Sequence, residues 1–400
     1  MAAEFLPGNR VVLLNSGAEY FPALLAEIDA AQIEIYLESY IFANDEVGHT
    51  IASALCRAAE RGVLVNVTID GFGGRNFATD FLPRFKQAGV RAMLYRPEIG
   101  RFHMRRHRLR RLHRKLVVID GRVAFIGGIN IVDDNNAPSE MCPRYDYAVR
   151  LEGPTLGQVH HAVRHMWEIV AWANFKRRFR LAAINTPSCA EVGTQTAAFL
   201  IRDNIRHRND ILHAYIAAID AARDEILIAN AYFLPGVRFG RALYAAAKRG
   251  VRISVLLQGK TDHPLLRLAT QTLYRTVLEN NIRVFEYEKS FMHAKVAVID
   301  GEWATVGSSN IDPFSLLLAK EANLVIRDRS FARQLRRSIQ QAITEGAHEM
   351  LHDEVNRRPI HSRLLRWLSY AIVRALVGMI GYGPKHWRAD EETPGAKPTE

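Results

Sequence analysis

Apolar residues in this chain gather into short runs, and the runs occur twice. Glu27–Phe42, EIDAAQIEIYLESYIF, reads as the end of a helix followed by a buried strand, and Ala218–Phe233, AIDAARDEILIANAYF, repeats the pattern. Ala58–Gly71, AAERGVLVNVTIDG, and Ala246–Gly259, AAKRGVRISVLLQG, each predict a helix closed by Arg-Gly and then a strand. Glycine fits just past a helix end because it takes the left-handed conformation without steric cost. Gly89–Tyr95 (GVRAMLY) is then matched by Asn281–Tyr287 (NIRVFEY). This alternation of helix and strand in each half predicts an α/β fold with a layered sheet.

The 400 residues exceed the usual size of one domain, which predicts two domains or two lobes sharing a core. The small, polar stretch INTPSCAEVG (Ile184–Gly193) is the expected linker, which places lobes at 1–183 and 184–350. Residues 351–400 have no counterpart in the first half, and their polar end, ADEETPGAKPTE, is expected to be disordered. Within this tail, Arg363, Arg366, Tyr370 and Arg374 are spaced 3, 4 and 4 residues apart. They form one polar stripe on a helix whose other faces carry Leu364, Leu365, Leu368, Ile372, Leu376 and Ile380. Such a basic amphipathic helix suits an anionic membrane interface, or packing against the lobes.

Each half ends in the same chemistry. LHRKLVVIDGRVAFIGGIN (Leu112–Asn130) carries His113, Lys115, Asp120, Gly128 and Asn130; FMHAKVAVIDGEWATVGSSN (Phe291–Asn310) carries His293, Lys295, Asp300, Ser308 and Asn310 at a constant offset of 180. LVVID and VAVID are strand-like, and the Asp-Gly that closes each marks a hairpin turn. His and Lys two residues apart face one side of a strand, which places an imidazole beside an ammonium in each lobe. That pair suits an anionic substrate: the ammonium stabilises charge on phosphate while the imidazole attacks or moves a proton. Asp120 and Asp300 follow their histidines by seven residues, up to about 23 Å of extended strand, and fit a structural turn role. Gly128 and Ser308 end the return strands, where Asn130 and Asn310 can donate to a phosphate oxygen beside closely approaching backbone. An imidazole in this work needs a carboxylate to fix its tautomer, and Asp146 and Glu321 each lead an apolar run after a motif.

Charge points the same way. Lys and Arg number 53 against 42 Asp and Glu, a net +11, which suits phosphate-bearing partners. Arg101, Arg105, Arg106, Arg108, Arg110 and Arg111 lie directly before the first motif, in an insertion absent from the second. Three separated cysteines form neither a disulfide framework nor a zinc pattern and fit a reducing cytoplasm. MAAEFLPGNR has no basic segment leading an apolar core, so no signal peptide is expected. No apolar run reaches the roughly 18 residues of a membrane span.

The duplicated His-x-Lys-x4-Asp with its trailing Gly-[Gly/Ser]-x-Asn resembles the phospholipase D superfamily. LESYIF, NAYFLPG, the arginine-rich lead into RLHRK and the closing RWLSYAIVRAL look like bacterial cardiolipin synthases of the B type. The resemblance implies two similar α-β-α sandwich lobes with one active site between them, plus the C-terminal amphipathic helix. By that resemblance His113 is the nucleophile and His293 the acid/base, although the near symmetry leaves the reverse assignment open. Lys115, Lys295, Asn130 and Asn310 would hold the phosphate, Asp146 and Glu321 would orient the imidazoles, and Asp120 and Asp300 complete the catalytic signature. The implied scheme needs no metal and no cofactor. Its expected partners are phosphatidylglycerol and an anionic phospholipid membrane, with the protein peripheral on the cytoplasmic face of a bacterial cell membrane. Hydrolysis of phospholipids is the nearest alternative, since exclusion of water separates a transferase from a phospholipase. A nuclease of the superfamily would also use the arginines, but it would lack a recognition fold and leave the tail helix unexplained, so nucleic acid is not the expected partner.

Overall fold

The computed structural model describes residues 3–97, 110–138, 141–176, 179, 185–203, 206–261, 263–312, 319–357 and 359–379. The first half supplies β1 (Leu6–Asn15), β2 (Glu34–Ser39), β3 (Leu64–Asp70), β4 (Arg91–Tyr95), β5 (Arg111–Leu112), β6 (Lys115–Ile119), β7 (Val123–Gly127) and β8 (Tyr147–Glu152). The second supplies β9 (Gln195–Arg202), β10 (Glu225–Asn230), β11 (Arg252–Gln258), β12 (Ile282–Tyr287), β13 (Lys295–Ile299), β14 (Trp303–Gly307), β15 (Ala319–Arg327) and β16 (Ala347–Glu349). The first half is ordered β1-β8-β7-β6-β2-β3-β4, and the second repeats it as β9-β15-β14-β13-β10-β11-β12, with β16 added at the edge. β2, β3 and β4 run parallel, as do β10, β11 and β12, while both motif hairpins are antiparallel.

The halves are joined more closely than a linker would join them. β1 pairs antiparallel with β9, so one sheet crosses the whole molecule. Strand alternation then divides the side chains. In β6, Val117 and Ile119 enter a core with Leu24, Ile51 and Phe81, and in β13, Ala297 and Ile299 enter its counterpart with Ile219 and Phe239. Leu116, Val118, Val296 and Val298 point the other way, into a third core that both halves share. Helices Leu156–Ala173 and Arg329–Gly346 fill that seam with Trp167, Val163, Leu335 and Ile339. All three cysteines are free thiols.

The tail forms a helix, Ile360–Met379, docked on Pro264–Gln271. Val373 buries against Ala269 and Leu234, and Arg366 Nε donates to Gln271 Oε1 at 2.9 Å. Leu364, Leu365, Trp367, Leu368 and Ile372 remain exposed. The side that carries Arg366 and Tyr370 therefore meets the protein, and the apolar side faces out. The expected disordered end, most of the arginine insertion, and the side chains of Arg363, Leu376 and Ile380 lie outside the described residues.

Candidate active site

The two motifs meet across the seam, and each histidine is held by the other half. β5 pairs with the start of β15, and His113 N–H donates to Lys320 O at 3.0 Å. In the same relation Met292 bridges to Tyr145, and His293 N–H donates to Tyr145 O at 2.8 Å. The next residue along each opposite strand is the carboxylate. His113 Nδ1 lies 3.0 and 3.1 Å from the two oxygens of Glu321, and His293 Nδ1 lies 2.7 Å from Asp146 Oδ2. A carboxylate at Nδ1 fixes the tautomer with Nδ1 protonated and leaves the Nε2 lone pair for chemistry. Each imidazole keeps 16% exposure while Glu321 keeps none and Asp146 8%, so the rings are reachable and their partners are not.

Both lysines are buried. Lys115 Nζ donates to His113 O at 2.6 Å, Lys295 Nζ donates to His293 O, and Lys295 Nζ stands 3.9 Å from Asp146 Oδ2. Burial, followed by repulsion from Lys295, pulls the Lys115 ammonium down to about 7 against the attraction of Glu321 and Asp146. Burial also depresses His113, with Lys115 and Lys295 adding to the effect and Glu321 opposing it. Asp146 is pushed up to about 6 by burial, despite Lys295, Tyr147 N–H and Lys115. Burial would raise Glu321 too, but His113, Lys115 and the Ser308 hydroxyl hold it below the usual carboxylate range. Two buried lysines that interact with each other and with the two carboxylates form a site arranged for an anion.

The remaining sequence candidates fall in different places. Ser308 is fully buried, and its hydroxyl donates to Glu321 Oε2 while accepting from Ala322 N–H. Its counterpart Gly128 leaves space that Asp146 occupies: a Cβ there would stand 2.3 Å from Asp146 Oδ1. Asn130 Oδ1 accepts from Ile41 N–H, and Asn310 is buried beside Ser309. Asp120 and Asp300 are not brought to the histidines. Each sits beyond the far end of its strand with φ of +53° and +52°, at the hairpin turn. Asp120 accepts from the amides of Gln32, Ile33 and Glu34, and Asp300 from those of Arg223, Asp224 and Glu225.

Three supporting groups were not legible in the sequence. Buried Asp70, at the end of β3, accepts from Leu112 N–H at 2.9 Å and so fixes the residue before His113. Arg114, between His113 and Lys115, makes a buried two-pronged bond to Glu38 at 2.6 and 2.8 Å. The Tyr40 ring packs edge-on against His113, 5.0 Å between centroids. The strand-end positions of Asp70 and Tyr40 were the only available signal. Among the described residues no group of three or more His, Cys, Asp and Glu is arranged to hold a metal ion.

The profile of the family described as "Cardiolipin synthase, PLD-like domain" matches residues 24–167 and 215–343, one segment in each half. "Cardiolipin synthase B" of Escherichia coli (strain K12) is 37% identical over 400 residues, covering 100% of this chain and 96% of that one. "Cardiolipin synthase B" of Salmonella typhimurium is 36% identical over 386 residues, 96% of this chain and 93% of that one. The crystal structure of phosphatidylserine synthase from Haemophilus influenzae shares the fold, with a TM-score of 0.71 at 16% identity over 94% of this chain and 97% of that one.

Proposed function

We propose that this chain, which belongs to the cardiolipin synthase family of phospholipase D-like proteins, moves a phosphatidyl group from one phosphatidylglycerol to another, giving cardiolipin and glycerol. The observation that carries the reading is the crossed pairing, His113 with Glu321 and His293 with Asp146, which engages each Nδ1 with a carboxylate and leaves each Nε2 for chemistry beside a buried lysine. His113 Nε2 attacks phosphorus, the bond from phosphorus to the departing glycerol oxygen breaks, and His293 gives that oxygen a proton. The product is a phosphatidyl-histidine. His293 then takes the proton from a hydroxyl of the second phosphatidylglycerol, whose oxygen attacks phosphorus and releases His113. Lys115 and Lys295 offset charge that grows on the phosphoryl oxygens, and the side-chain amides of Asn130 and Asn310 donate to them.

The assignment of His113 as nucleophile is supported by an asymmetry of partners. Glu321 receives a second donor from Ser308 and is held anionic, which favours the cation His113 becomes on bonding to phosphorus. Asp146 is pushed up toward the range of imidazole, which suits a histidine that trades a proton. The enzyme works peripherally on an anionic membrane, at its cytoplasmic face. No helix among the described residues is long and apolar enough to cross a membrane, and the outward apolar side of Ile360–Met379 offers a means of attachment.

The test incubates the purified protein with labelled phosphatidylglycerol in vesicles and separates the products. Cardiolipin with matching glycerol is expected. Phosphatidic acid without cardiolipin would assign the site to hydrolysis, and cleavage of DNA without any lipid product would sink both lipid readings. Acid-quenched enzyme should carry label on the peptide containing His113; label on the His293 peptide would reverse the roles.

A further inference from the structure

Two aromatic side chains of the first half stand in water at the end of the seam helix Leu156–Ala173. Trp172 is 72% exposed and Phe175 92%, and Ile169, one turn back from Trp172, is exposed as well. Burying large aromatic rings is a main source of stability for a fold, and these two contribute little of it. Phe175 also sits in a costly backbone position. Lys176 N–H donates to Ala171 O and Phe175 N–H to Trp172 O, the paired bonds that stop a helix, and Phe175 takes φ +54° within them. Glycine is the usual residue at that position.

The chain on either side is held. Asn174 Nδ2 donates to Val170 O at 2.8 Å and to Leu94 O at 3.4 Å. Phe179 turns back to the protein, its ring 6.1 Å from that of Trp167 and its carbonyl accepting from Trp167 Nε1 at 2.9 Å. Trp172 and Phe175 therefore stand on a fixed tip. Exposed Lys176 belongs to the same tip, and Lys176, Arg177, Arg178 and Arg180 come with no acid before Glu191. Glu168 is the nearest acid on the other side. Aromatic rings beside a run of cations fit an anionic bilayer, where rings lie at the level of the headgroups and cations meet lipid phosphates.

The tip lies at the edge of the sheet that carries the site. β3 and β4 end there, at Asp70 and Tyr95; Asp70 holds Leu112 N–H just before His113, and Leu94 O holds Asn174. In the second half the corresponding edge carries the tail helix. Leu234, just past β10, packs with Ala269 and Val373, and Ala231 N–H donates to Ala294 O beside His293. Each half thus presents one outward apolar element at the edge where its histidine stands.

We propose that the Trp172–Phe175–Lys176 tip is a second membrane contact, which seats its two rings among the headgroups of an anionic phospholipid surface. This rests on the peripheral membrane reading above. The tip holds the first half and the tail helix the second, so the site edge is kept toward the lipid, and two linked contacts bind more tightly than either alone.

The experiment compares the wild type with Trp172→Gln/Phe175→Asn, a pair that keeps the helix end, since asparagine accepts the left-handed backbone at 175. Binding is measured by co-sedimentation with vesicles of phosphatidylglycerol and phosphatidylcholine. Turnover is measured on phosphatidylglycerol in those vesicles and on a short-chain phosphatidylglycerol dispersed as monomers. The variant should bind the vesicles about tenfold more weakly and lose vesicle turnover alongside, with Tm and turnover of the dispersed substrate kept. Trp172→Leu/Phe175→Leu, which stays apolar, should retain most of the vesicle binding. Unchanged vesicle binding by the polar variant would overturn the proposal, and loss of DNA binding in its place would assign the tip to nucleic acid. A fallen Tm, or an equal loss on dispersed substrate, would also overturn it, assigning the rings to a segment of this chain that covers them or to the site. A dimeric wild type whose polar variant is monomeric and still binds vesicles would assign the tip to a second copy. A wild type that does not bind the vesicles would instead remove the peripheral membrane reading itself, before any variant is made.

Discussion

At residue scale the duplicated site departs from symmetry at position Gly128/Ser308. Ser308 gives Glu321 a buried hydrogen bond, and such bonds to charged groups contribute about 1.5–3 kcal/mol. Ser308→Ala should lower kcat about tenfold or more with little change in KM, because Glu321 then holds His113 less firmly; an equal change in both parameters would contradict this positioning role. The opposite substitution cannot restore symmetry. Any side chain at Gly128 meets Asp146, so Gly128→Ser should displace Asp146 from His293 and reduce turnover severely. Asp146 also fixes the sign of an acid effect. Burial first, against Lys295, brings it up to about 6, and His293 needs its anionic form, so kcat/KM should fall as pH drops through about 6. Asp146→Asn should be slow at every pH and lack that titration; an unchanged acid limb would place the controlling group elsewhere.

At the scale of elements, the repeated order within each motif divides into two jobs. His and Lys open the strand at the site, while Asp closes it at the turn and holds the loop before β2 or β10 by three amide bonds. Asp120→Ala and Asp300→Ala should each destabilise by about 2 kcal/mol, with kcat per folded molecule retained; loss of turnover without loss of Tm would return these residues to the chemistry. The turn role was legible because Asp-Gly has a known local preference and seven extended residues separate it from His. The crossed carboxylates were legible only as candidates, since which half each serves depends on contacts between strands far apart in sequence. β1 and β9 gave no duplicated pattern, although their pairing joins the sheet. The tail helix was read correctly as amphipathic, but its outward side was not evident: Val373 and Ser369 are buried while Trp367 is exposed. Replacing Trp367 and Leu368 by Glu should cut binding to anionic vesicles at least tenfold and leave Tm unchanged, because both side chains already face water. Retained vesicle binding would move the membrane contact elsewhere.

The whole molecule has two repeated sequences but one interior between them. A pair of domains on a linker would keep separate cores and unfold in two steps. Here the shared core draws Leu116, Val118 and Trp167 from one half and Val296, Leu335 and Ile339 from the other, and the β1–β9 pairing continues the sheet across the same boundary. Neither half can lose its structure without exposing apolar surface of the other. The site follows the same logic, since unfolding either half removes the carboxylate from a histidine in its partner. We therefore expect one calorimetric transition, coincident with loss of activity. Trp167→Ala, which empties a large buried volume at the seam, should cost about 3–5 kcal/mol and lower that single transition as a unit. Two resolved transitions in the wild type, or a variant in which only one half melts early, would show that the halves are separate domains and that the shared core contributes little to holding the two histidines together.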